Sequence, residues 1–206
     1  MSTPLQMPLL FETIKIDQGN IYNLSYHQKR CDKSRKSLFN SSNSLDLSSI
    51  IKAPPKGLYR CRILYTDTLH SIKYIPYIEK KIESLKIISS DISYDFKYAN
   101  REALNILLSK LSSTDEIIIE KDGYLTDTTI SNIAFYNGKQ WFTPTKPLLE
   151  GTMRQKLLDE GVLTTKYISH SDLKDYTQVA LINAMLGFKI LNNIHPKDLE
   201  GTADDN

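Results

Sequence analysis

The stretch Asp115-Glu116-Ile117-Ile118-Ile119-Glu120-Lys121-Asp122-Gly123-Tyr124-Leu125-Thr126-Asp127-Thr128-Thr129-Ile130-Ser131-Asn132 decides the fold class. Residues 115–120 read as a strand, Lys121-Asp122-Gly123 as a turn and residues 124–136 as a strand-rich run. Asn137-Gly138 is then a type I′ hairpin signal leading into residues 139–143. Upstream, residues 100–111 carry Ala103, Leu104, Ile106, Leu107, Leu108 and Leu111, the spacing of a buried helix capped by Asn100. Downstream, residues 151–160 form a short helix ended by Gly161, and strands recur at 162–168, 178–183 and 187–194. The polar end of the chain after Leu199 is expected to fray. Helices mixed with hairpins in this way give an α+β class.

Asp17-Gln18-Gly19-Asn20 is a turn between strands, and Ser25 with Gln28 resembles a capping box opening a helix over residues 26–39. The Ser/Asn-rich residues 40–49 read as a loop. From Gly57 the alternation is clean: Tyr59, Cys61, Ile63 and Tyr65 share one face, while Leu58, Arg60, Arg62 and Leu64 share the other. Further strands are expected at 69–75 and 85–89. The pattern changes near residue 90, so the chain divides into an N-terminal α/β lobe, residues 1–93, and a C-terminal α+β lobe, residues 94–206, with the active site expected between them.

Composition narrows the function. The 206 residues are 40% hydrophobic, enough for a folded core. Lys plus Arg number 26 against 24 Asp plus Glu, a balance that gives no polyanion-binding signature, so neither nucleic acid nor a membrane surface is an expected partner. No run of eighteen apolar residues occurs. Cys31 and Cys61 read as free thiols in a reducing compartment, which suggests the cytoplasm. Four scattered His and two distant Cys offer no metal-ligand spacing.

Several positions can carry chemistry. Lys97 lies in a loop just before the 100–111 helix, at the expected junction. Gly151-Thr152-Met153-Arg154 opens a helix whose first amides lack intrahelical partners, which makes an anion cradle or an ordinary helix start. Asp127 is a carboxylate in a strand, where burial demands a partner and an edge position would not. Arg30 sits in His27-Gln28-Lys29-Arg30 on the first helix, among other basic residues. Arg60 and Arg62 could take a carboxylate bidentately or serve as surface ion pairs.

Taken in order, Phe11-Glu12-Thr13, His27-x-x-Arg30, Lys97-x-x-Asn100-Arg101, residues 115–132, Thr143-Pro144, Leu149-x-Gly151-Thr152-Met153-Arg154 and Ile182-Asn183-Ala184-Met185 resemble the class IV aminotransferase family of pyridoxal-phosphate enzymes. The resemblance covers nearly the whole chain. It implies a two-lobed architecture like that of D-amino-acid aminotransferase, fold type IV, and commonly a homodimer. It implies that Lys97 joins covalently to the pyridoxal 5'-phosphate aldehyde and moves protons. By the same resemblance, Arg30 and the amides of Thr152 and Met153 hold the phosphate, aided by Asn183 and Ala184, and Asp127 pairs with the ring nitrogen.

Within the family, Gly-x-Met-Arg and Asn-Ala-Met look most like aminodeoxychorismate lyase, which forms 4-aminobenzoate and pyruvate in folate biosynthesis. Arg60 or Arg62 would then receive a substrate carboxylate. The alternatives are an aminotransferase for branched-chain or D-amino acids and a cofactor-free binding protein of the same fold. Asp127 stands where the family usually has glutamate. About twenty residues that usually precede the Phe-Glu-Thr strand are missing, as is much of the loop after the Arg60 strand.

Overall fold

A computed structural model describes residues 7–111 and 114–201. The described residues form two compact units, one drawn from residues 1–78 with 96–100 and the other from residues 79–95 with 101–206. The division differs from a single cut after residue 93. Residues 79–93 belong with the second unit, because the strand at 85–89 finds its partner there.

In the first unit, β1 (Leu10–Asp17), β2 (Asn20–Ile21), α1 (Leu24–Phe39), α2 (Leu47–Ile50), β3 (Leu58–Tyr65) and β4 (Leu69–Pro76) follow in chain order. The sheet is antiparallel with order β2-β1-β3-β4. Gln18 and Gly19 both have positive φ, and Asp17 pairs with Asn20, so a two-residue turn closes the first hairpin. The alternation in β3 holds: Cys61, Ile63 and Tyr65 are buried with Leu10, Ile14 and Ile16 of β1 and with Cys31 of α1. Each of the leucine and isoleucine side chains contributes about 1.5–3 kcal/mol on burial.

Two local expectations change here. Helix α1 begins at Leu24, not 26, with Asn23 in the left-handed region at its cap, so the Ser25 box does not form. Asp46 accepts from the Ser48 N–H at 2.9 Å and starts the short α2 inside the stretch expected to be loop.

The second unit contains β5 (Leu85–Ser89), α3 (Glu102–Ser109), β6 (Glu116–Lys121), β7 (Tyr124–Thr128), β8 (Asn132–Tyr136), β9 (Trp141–Pro144), α4 (Thr152–Asp159), β10 (Leu163–Lys166), β11 (Gln178–Asn183) and β12 (Gly187–Ile190). One mixed sheet runs β10-β9-β8-β7-β6-β5, with β11 against β8 and β12 against β11. The β5–β6 and β9–β10 pairs are parallel. Ile117, Ile118 and Ile119 are all fully buried, so β6 is covered on both faces and lies between β5 and β7. α4 packs Leu157 against Ala134 of β8 and Ile182 of β11, which anchors the start of that helix to the sheet.

α3 spans eight residues with Arg101 at its cap, not Asn100, and buries Leu104 and Leu107 while Ile106 is exposed. The Asn137-Gly138 turn is not type I′. The strands pair last at Tyr136–Trp141, and the Asn137 carboxamide oxygen accepts from the N–H groups of Lys139 and Gln140, closing a four-residue loop. β12 stops at Ile190, short of 194. The chain end beyond Gly201, expected to fray, lies outside the described residues.

Candidate active site

In the first unit, the segment around Lys97 is an annex of β1. The Phe11 N–H donates to the Lys97 carbonyl at 2.9 Å, the Ala99 N–H donates to the Leu9 carbonyl at 2.7 Å, and Leu10 bridges Tyr98. The lysine is thereby placed beside the strand and not in a loose loop. Its Nζ stands 4.7 Å from the centre of the Phe11 ring, and the Arg62 guanidinium carbon stands 4.1 Å from the same centre. Arg60, two residues away on β3, is exposed, whereas Arg62 is half-buried. The two strand arginines are therefore not equivalent.

Glu12 occupies the core-facing side of β1 between Leu10 and Ile14 and is fully buried. A carboxylate there needs partners, and α1 supplies them one turn apart. Arg30 donates from Nε to Oε1 at 2.9 Å and from Nη2 to Oε2 at 2.5 Å, and His27 donates from Nδ1 to Oε2 at 2.6 Å. Burial alone would raise the Glu12 carboxyl, but the Arg30 charge and the His27 hydrogen bond hold it down at about 2. Burial pushes His27 below its ordinary value, against the pull of Glu12, so the imidazole is neutral with its proton on Nδ1. The Arg30 and Lys97 charges act on His27 in the same direction as burial. Arg30 is thus fixed by a buried carboxylate, not waving on a solvated basic face.

In the second unit, Asp127 and Asn132 face each other across the tight β7–β8 connection. The Asn132 Nδ2 donates to Asp127 Oδ1 at 2.7 Å and to the Leu149 carbonyl at 2.8 Å. The Leu149 N–H donates to Asp127 Oδ2 at 2.8 Å. Asp127 is buried, and burial pushes its carboxyl up to about 7 against these donors and the charge of Arg154. Arg154 is itself buried, donating to the Pro144 carbonyl at 2.8 Å while its Nε has no hydrogen-bond partner.

The loop from Thr128 to Ser131 is held from several sides. Glu116, also buried, accepts at Oε1 from the Thr129 N–H and from Thr129 Oγ1, the latter at 2.7 Å. Arg101 donates to the Thr129 carbonyl at 2.6 Å. The Asn183 carboxamide donates to Ser131 Oγ at 2.9 Å and accepts from the N–H groups of Met185 and Leu186. The side chain of Asn183 therefore ties this loop to the turn containing Ala184. Gly151 caps α4, with Thr152 buried in the first turn and Met153 packed beside the Leu157 cluster. A helix start with anion-binding amides and a buried acid raised in pKa suit a group carrying a phosphate at one end and a basic ring nitrogen at the other.

The first unit thus carries Lys97 and Arg62 at the Phe11 ring and Arg30 on Glu12, and the second carries Asp127, Asn183, Ala184, Thr152 and Met153. Sequence reasoning gave no role to Glu12, Asn132 or Glu116. Glu12 could have been found as the one acid on the apolar side of β1, with His27 and Arg30 spaced to meet it. Asn132 could have been found as the residue opposite Asp127 once the hairpin was drawn. Glu116 offered no such signal. Among the described residues no cluster of three or more His, Cys, Asp or Glu could hold a metal ion, and no helix is long and apolar enough to cross a membrane.

This fold and these residues define an enzyme of the amino-transferase class IV family, whose model matches residues 9–194; the chain belongs to that family, which depends on pyridoxal phosphate. Its relatives include a Haemophilus influenzae protein of uncharacterised function, 38% identical over 86% of this chain and 98% of that one. A crystal structure from Haemophilus somnus 129PT, described as a "putative 4-amino-4-deoxychorismate lyase", is 39% identical, covers 89% of this chain and 99% of its own, and has a TM-score of 0.82. A Schizosaccharomyces pombe protein named "putative aminodeoxychorismate lyase" is 28% identical over 85% of each chain.

Proposed function

We propose that the chain is a pyridoxal-phosphate-dependent lyase that converts 4-amino-4-deoxychorismate to 4-aminobenzoate and pyruvate, a step toward folate. The observation that carries this reading is the 39% identity to the Haemophilus somnus protein across almost its full length. The Gly151-Thr152-Met153-Arg154 and Asn183-Ala184-Met185 motifs support the same reaction.

Lys97 is assigned the covalent link to the cofactor aldehyde. Once the substrate amine has taken its place, the freed Nζ would be the base for the proton on the ring carbon that bears that amine. Arg30, oriented by Glu12, and the amides of Thr152 and Met153 hold the phosphate, with Asn183 and Ala184 shaping that end through the 183–186 turn. Asp127 pairs with the ring nitrogen. The cofactor supplies an electron sink when that nitrogen is protonated. Expulsion of pyruvate leaves an aromatic product, which makes the reaction one-way. Arg62, sharing the Phe11 ring with Lys97, is assigned a substrate carboxylate in preference to the exposed Arg60.

The enzyme is assigned to the cytoplasm as a homodimer, in keeping with its two buried free thiols and the habit of the family. Supplying purified protein with aminodeoxychorismate tests the reaction. Pyruvate and 4-aminobenzoate formed without a keto-acid acceptor support the lyase. Turnover only when a keto acid is added would instead assign amino transfer on branched-chain or D-amino acids.

A further inference from the structure

Asn132 does more than close a hairpin. Its Nδ2 bridges the Asp127 carboxylate and the Leu149 carbonyl, and the Leu149 N–H returns to the other Asp127 oxygen. The segment it grips leads directly into the cap of α4 at Gly151. Gly151 has a negative φ, so backbone freedom does not explain the glycine. Space does: a Cβ built there would lie 1.9 Å from Asn132 Oδ1 and 3.1 Å from its Cγ. The carboxamide is thus wedged with its donor end on Asp127 and its oxygen end against the α4 cap.

We propose that Asn132 is a positioning residue that locks the Asp127 carboxylate to the start of α4, and that Gly151 is glycine because this lock leaves no room for a side chain. This rests on the reading that Asp127 serves the ring nitrogen and the α4 cap serves the phosphate. The lock then fixes the spacing between the two ends of the ligand. It acts on a carboxylate one methylene shorter than glutamate, for which a misplaced oxygen has less reach to recover. Arg154, the charge that acts on Asp127, is anchored separately on the Pro144 carbonyl.

The test begins on the cofactor-free protein, following the Asp127 carboxyl by carbon-13 NMR through a pH titration. Asn132→Ala removes a donor to the charged form and should raise the Asp127 midpoint by about one pH unit. Asn132→Asp keeps the shape and can donate only while protonated, so it should approach wild-type behaviour in acid and depart from it in base. A merely structural asparagine would show no such pH-dependent rescue. Gly151→Ala leaves Asn132 in the chain but displaces its carboxamide, and should move the Asp127 midpoint upward as well; it serves as the second variant should Asn132→Ala not fold.

An Asp127 midpoint unmoved in both Asn132→Ala and Gly151→Ala overturns the proposal. The loaded protein separates this failure from failure of the reading beneath it. If Asp127→Asn alters the pH dependence of the visible absorption band and Asn132→Ala does not, the lock is refuted. If neither variant alters the band, the assignment of Asp127 to the ring nitrogen is what fails.

Discussion

Replacing Glu12 by glutamine keeps the shape of a buried side chain and deletes its charge, and the pH dependence of the resulting loss can be worked out in advance. The folded carboxyl titrates near 2 against an ordinary value of 4.5, because Arg30 and His27 outweigh the burial that opposes ionisation. A group depressed in this way stabilises the fold above its unfolded value and loses that contribution as pH falls through the folded one. The stabilisation is on the order of 3 kcal/mol at pH 7 and about 1 kcal/mol at pH 3. Breaking a buried pair commonly costs about 3–5 kcal/mol, a similar size. His27 must take up a proton in acid at a cost to both proteins, and the cost is greater in the variant, which has lost the upward pull of Glu12, so it offsets part of the narrowing. Urea unfolding of wild type and Glu12→Gln at pH 7 and at pH 3, followed by a probe in the first unit, should therefore show a large gap that narrows in acid. A gap under about 0.5 kcal/mol at pH 7, or one that does not change with pH, would refute the account of the cluster, since surface-like changes are of that size.

Two further outcomes follow from the same geometry. The Asp127 carboxyl, raised by burial to about 7, holds a proton in the folded cofactor-free protein that the unfolded chain has released, so its contribution to stability falls as pH rises from about 4 to 7. Asp127→Asn has no such dependence and should gain on wild type by on the order of 4 kcal/mol between pH 4 and pH 8 in urea unfolding, whereas a pH-independent difference would contradict the burial argument. Arg62→Ala should raise KM at least tenfold in steady-state kinetics while Arg60→Ala changes it less than twofold, and equal effects would remove Arg62 from the substrate contact.

Where the sequence was legible, local physics had no competitor. The faces of β3 were readable because period-two alternation must place Cys61, Ile63 and Tyr65 together, and their burial follows from α1 covering one side of the sheet. The Asp122-Gly123 turn was readable because positive φ at both central residues suits that pair. The Asn137-Gly138 turn misled for a reason visible in the structure: the Asn137 N–H still donates to the Gln140 carbonyl, but the Asn137 side chain takes the Lys139 and Gln140 N–H groups, so Asn137 flanks the turn and is not one of its central residues.

The domain cut misled because β5 pairs in parallel with β6 across an intervening helix, and no local pattern announces a partner some thirty residues away. Candidate ligand-facing residues were named from motif resemblance. The groups that hold them were harder to see. Glu12 meets Arg30 only when a strand face and a helix face are brought together, and Asn132 meets Asp127 only when the hairpin closes.

The central claim is that the Lys97 amine carries the cofactor. Purified protein incubated with pyridoxal phosphate, reduced with borohydride, digested and measured by mass spectrometry should show the phosphopyridoxyl mass on the peptide containing Lys97 and on no other, with the visible band bleached and no adduct in Lys97→Ala. A protein that takes up no cofactor, or one whose adduct sits on a different lysine while Lys97→Ala keeps full turnover, would contradict it.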